Sequence, residues 1–73
     1  MKVKHCTRVE FSAFGKREVC YTHEESLLNI TKLVKQIIDT AHVISVTRVK
    51  VSNETFLSDN LHNIVEWIKK IKR

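Results

Sequence analysis

The chain has 73 residues, with 13 Lys and Arg against 8 Asp and Glu for a formal net charge of +5, and it is 42% hydrophobic and 29% charged. That length suits a single small domain spanning residues 1–73, with modest stability. The apolar content excludes a disordered chain, and no apolar run reaches the roughly 18 residues of a membrane span. The start MKVKHC lacks the apolar stretch of a secretory signal, so the expected location is cytoplasmic, with the two cysteines as free thiols.

From Lys2 to Ser12 the chain alternates: Val3, His5, Thr7, Val9 and Phe11 fall on one side, Lys4, Cys6, Arg8 and Glu10 on the other. This is the period of a half-buried strand. The only glycine, Gly15, follows Ala13 and Phe14, and these three residues fit a hairpin loop made of a type I turn and a left-handed residue. The register that follows sets Val9 opposite Val19, Thr7 opposite Tyr21 and His5 opposite His23. It also sets Glu10 opposite Glu18, a repulsion that a longer loop shifted by two would relieve.

Thr22 and Glu25 have capping-box spacing, which predicts a helix from about His23. Its apolar stripe is Leu27, Ile30, Leu33, Val34, Ile37, Ile38 and Ala41, with Leu28 outside it. The β-branched run Val43 to Ser52 reads as a third strand whose apolar phase changes. Ile44 and Val46 share one face, Val49 and Val51 the other; either a bulge near Thr47 and Arg48 or cover on both faces would reconcile them.

A second amphipathic helix is expected from about Phe56 or Ser58 to the end. Its stripe is Leu57, Leu61, Ile64, Val65, Trp67, Ile68 and Ile71, and Lys69, Lys70, Lys72 and Arg73 complement the negative end of its dipole. The order β-β-α-β-α predicts an α+β fold, a three-stranded sheet in the order 2-1-3 with two helices packed on one face.

Catalytic parts are missing from this pattern. There is no Gly-rich phosphate loop, no Ser elbow and no pocket-forming loop beside a cysteine, so no enzyme activity, catalytic residue or cofactor is expected. His5-Cys6 and Cys20-x-x-His23 resemble metal-ligand spacing. In the expected register, however, the pleat sends both cysteines to one face and both histidines to the other, so no metal site is expected.

Two binding readings remain. The leading one is a small regulator, inhibitor or adaptor that contacts another protein through Phe14, Lys16, Arg17 and Leu28, since Phe14 and Leu28 have no evident place in the core. The alternative is nucleic-acid binding by a basic sheet face and hairpin made of Lys4, Arg8, Lys16, Arg17, Arg48 and Lys50. No membrane contact is expected, and homodimerisation through a sheet edge is open to so small a sheet.

Overall fold

The structure is a computed structural model that describes residues 2–71. The elements are β1 (Val3–Ala13), β2 (Lys16–Thr22), α1 (Leu27–Ile37), β3 (His42–Ser52), α2 (Asn53–Ser58) and α3 (Leu61–Ile71). The α+β fold with strand order β2-β1-β3 is as expected from the sequence, and β1 runs antiparallel to both neighbours. Lys72 and Arg73, expected in the last helical turn, lie outside the described residues.

Val9, Phe11 and Ala13 of β1 and Cys20 of β2 point to one face of the sheet. There Ile30 and Val34 of α1, Ile38 and Ala41 beyond it, and Leu61, Val65 and Ile68 of α3 complete one buried cluster. α1 rests on β3, α3 rests on β2, and the two helices touch. Each large side chain buried here contributes roughly 1.5–3 kcal/mol.

The hairpin is tighter than expected. Ala13 pairs with Lys16, so the loop is Phe14-Gly15 alone, with φ of 53° and 78°. Two positive φ values in a two-residue loop are the type I′ geometry, whose twist matches that of the strands. The register is therefore one residue away from the expected one: Val9 faces Cys20, Thr7 faces Thr22, and Glu10 faces Val19. A one-residue slip turns every side chain of β2 over, so Cys20 enters the core and the Glu10–Glu18 repulsion disappears.

α1 begins later than its apparent capping box. Ser26 is the N-cap, its hydroxyl accepting from the Asn29 N–H at 3.3 Å. Thr22 instead accepts from the Glu24 N–H at 3.1 Å, and the Glu24 carboxylate accepts from the Glu25 and Ser26 N–H groups at 3.0 and 3.1 Å. The Ser26 N–H holds the Glu24 carboxyl below its ordinary value. These local bonds make a separate turn ahead of the helix.

In β3 the bulge lies at Ile44: Val43 faces Phe11 and Ser45 faces Glu10, with the register shifting between them. Thr47 and Arg48, where the bulge was expected, pair regularly with Arg8 and Thr7. Val43 and Val46 thus share the core face, whereas Val49, opposite Cys6, and Val51, opposite Lys4, are half-buried on the other. α2 packs against β1 and β3 with Phe56 buried, and the Lys4 ammonium lies 5.3 Å from the Phe56 ring. The phase change therefore records cover on different faces along one strand.

The expected C-terminal helix is two helices. Ser52 caps α2, accepting from the Thr55 N–H at 3.1 Å, and Asn60 starts α3, its side-chain carbonyl accepting from the Asn63 N–H at 3.1 Å. Between them the Asp59 carbonyl accepts from the Tyr21 N–H at 2.9 Å, and Asn60 forms a parallel bridge with Tyr21. The break in the helix is what lets this link lie along the outer edge of β2. Among the described residues no helix is long and apolar enough to cross a membrane.

Candidate functional site

Phe14 occupies the first position of the type I′ turn and is 47% exposed. A left-handed conformation costs an L-residue roughly 1–2 kcal/mol, and Asn or Asp is the usual occupant. Lys16 and Arg17 follow it, both exposed. Leu28, in the first turn of α1, is 64% exposed, as its place outside the stripe implied. The seven residues of β2 separate the two anchors, about 23 Å at ~3.3 Å per residue. Phe14 and Leu28 therefore belong to different ends of the molecule.

Leu27, Leu57, Trp67 and Ile71, expected inside the helical stripes, are each more than half exposed. The apolar stripes are wider than the arcs that pack, which centre on Ile30 and Val34 in α1 and on Leu61, Val65 and Ile68 in α3.

The six basic residues do not form one sheet face. Directly opposed residues share a face, and by that rule Lys4 (opposite Val51), Arg8 (opposite Tyr21) and Arg17 (opposite Ser12) lie on one side. Lys16 (opposite Ala13), Arg48 (opposite Thr7) and Lys50 (opposite His5) lie on the other. On the first side the Glu10 carboxylate is 3.7 Å from the Arg8 guanidinium and 3.5 Å from that of Arg17.

His5, Arg48 and Lys50 of the second side, with Val49 between the two cations in the chain, line an open recess of about 460 Å³. Arg48 donates to the fully buried Thr7 hydroxyl at 2.7 Å, which fixes the guanidinium over the sheet. Among the described residues no carboxylate pairs with His5, Arg48 or Lys50. His5 was not assigned to this group from sequence; the β1–β3 register, which places it opposite Lys50, is the missing signal.

A smaller recess of about 240 Å³ lies between the end of β2 and the α2–α3 link, lined by Tyr21, His23, Phe56, Asn60 and His62 among others. The His23 and Phe56 rings are 4.4 Å apart, tilted by 47°.

The two cysteines face opposite sides of the sheet, correcting the expectation that they share one: Cys20 lies opposite Val9 in the core, and Cys6 lies on the Lys4 face. Burial pushes the Cys20 thiol up to about 12. It also raises that of Cys6, against the opposing charges of Arg48 and Lys4. Protonated thiols are poor nucleophiles and ligands. Among the described residues no three His, Cys, Asp or Glu side chains gather as a metal group.

The outer edges of the sheet also differ. The edge of β2 is engaged by Asp59 and Asn60, whereas β3, among the described residues, pairs only with β1. Compared with known protein families, with curated proteins and with solved structures, the chain matches none.

Proposed function

We propose that this protein is a small non-catalytic binding module of the cytoplasm, a regulator, inhibitor or adaptor that works by contact with another protein, with the hairpin tip as an anchor. The observation that carries this reading is Phe14. A bulky aromatic side chain stands exposed in a left-handed turn position where Asn would cost less. Strain of this kind concentrates at sites that act on a partner, and an exposed aromatic is a common energetic centre of a protein interface. Lys16 and Arg17 beside it supply a polar rim, and Leu28 offers a separate contact at the other end of β2. Two unpaired, protonated thiols suit a reducing compartment.

The test is capture of partners from the native cell lysate by wild type, Phe14→Asn, Leu28→Ala and the double variant. Asn suits the turn, so the first substitution removes the ring without harming the hairpin. Affinity for the captured partner should fall roughly thirtyfold without the ring, the ~2 kcal/mol of a typical interface anchor. Equal recovery by all four proteins removes both anchors.

A second reading, nucleic-acid binding, draws on the recess of His5, Arg48 and Lys50, where no carboxylate pairs with the cations among the described residues. The division of the basic residues between two faces weakens it. It requires a mobility shift with DNA or RNA at low salt that falls steeply as salt rises, and no shift at low salt discards it.

A further inference from the structure

A three-stranded sheet has two outer edges, and an edge presents unpaired N–H and C=O groups on which an extended segment can add as a further strand. The α2–α3 link occupies that position on β2 through the Tyr21–Asp59 bond. β3 has no such cover among the described residues, and its bulge at Ile44 leaves the regular stretch from Ser45 to Ser52 as the part able to pair. We infer that the outer edge of β3, around Thr47 to Val51, accepts an extended acidic segment of a partner protein as a fourth strand.

Charge selects this occupant. Arg48 and Lys50 are two residues apart on one face of β3, so they repeat at the spacing of alternate side chains on any strand laid beside them. Acidic residues two apart on the incoming strand would stand beside both cations at once. Arg48 is already held by Thr7, with further guanidinium donors left over, and His5 stands behind Lys50 on β1. On the opposite face the same stretch offers Val49 and Val51, both half-buried, so the segment that fits alternates acidic with β-branched residues.

The same charges act against a second copy of this chain. An antiparallel pair centred on Val49 would set Arg48 of one copy opposite Lys50 of the other, and centring on either cation would set it against itself. Against nucleic acid, no Phe, Tyr or Trp lines the recess to give a base a large stacking platform. The inference does not depend on Phe14.

The test uses the full chain, labelled with nitrogen-15, and three short end-capped peptides in which Val alternates with Glu, Gln or Lys. The Glu peptide should shift the amide resonances of Thr47 to Val51 and bind about fivefold more tightly than the Gln peptide, as expected for two exposed ion pairs. The preference should shrink with added salt.

Arg48→Gln with Lys50→Gln should abolish the preference; Lys50→Gln alone, which leaves the Arg48–Thr7 bond intact, should reduce it. Equal binding of the Glu and Gln peptides overturns the charge argument, and absence of shifts on β3 with every peptide overturns the edge site. Concentration-dependent dimerisation through β3, or tighter binding of a single-stranded RNA to the same resonances, overturns the choice of occupant. Phe14→Asn should leave peptide binding unchanged, so the hairpin anchor and the β3 edge can fail separately.

Discussion

β1 runs through both ends of this molecule, and they are built on different terms. Toward the hairpin it lies between two strands and under two helices, with Val9, Phe11 and Ala13 in a continuous core. Before Thr7, among the described residues, it pairs with β3 alone, and the cover is the short helix α2 with Phe56. Cys6 and Phe56 are buried there, yet neither belongs to the main cluster. One face of this ribbon is left open, with His5, Arg48 and Lys50 around a recess. Burial is thus concentrated where the three-stranded part of the sheet meets both longer helices. The ribbon, freed from filling the core, carries cations that no carboxylate pairs with among the described residues.

Unequal cover implies unequal stability. Phe11→Ala should cost about 3–5 kcal/mol, the range for a large aromatic removed from a core, and that is most of what a chain of this size has to lose. Urea denaturation followed by circular dichroism measures it. Phe56→Ala should cost less than ~3 kcal/mol, below that core range. Its signature should be loss of hydrogen-exchange protection in α2 and at Lys4 to Cys6, with β2 still protected. If β2 loses protection as well, the two ends form one cooperative unit and the contrast fails.

The two thiols report on the two ends. With its thiol held protonated up to about 12 in the folded state against 9.0 otherwise, Cys20 favours folding fully below pH 9.0. That contribution fades as pH rises from 9.0 toward about 12, because only the unfolded chain ionises there. At pH 10 the loss is roughly 1.4 kcal/mol, and comparison of Cys20→Ala with wild type across this range isolates it from the titration of Lys and Tyr. Near neutral pH, thiol labelling should reach Cys6 first, by local opening of the ribbon, and Cys20 only on global unfolding. Labelling of both at one rate would join the two ends.

Strand order and the buried arcs of both helices were legible because periodicity in Val3 to Phe11, Leu27 to Ile37 and Leu61 to Ile68 is set by burial. Side-chain chemistry acting across the fold was harder to read. Asn60 caps a helix beside the point where Asp59 docks on β2; without that contact, the sequence from about Phe56 or Ser58 onward reads as one helix. The bulge at Ile44 follows from the need to bring Val43 over Phe11, a pairing absent from β3's own sequence. Arg48 and Lys50 lie more than 40 residues along the chain from His5, and the β1–β3 register joins them. Leu28 was legible as an outlier from a helical stripe, which is a local property.

Phe14 brings the contrast to the hairpin tip, where the well-covered end meets solvent. Ala13-Phe14-Gly15 reads as a three-residue loop because Phe is a poor occupant of a left-handed position, yet Phe14 sits at a φ of 53°. Phe14→Asn should therefore stabilise the protein by about 1 kcal/mol, through relief of backbone strain. The readout is a rise in the urea midpoint with an unchanged slope. If the substitution gives no gain, contacts of the ring with the hairpin offset its backbone cost. The ring would then belong to the fold, and its exposure would no longer argue for a partner. If the gain appears, the wild-type residue is one that folding alone would not select, and the well-covered end has its own reason to meet another surface.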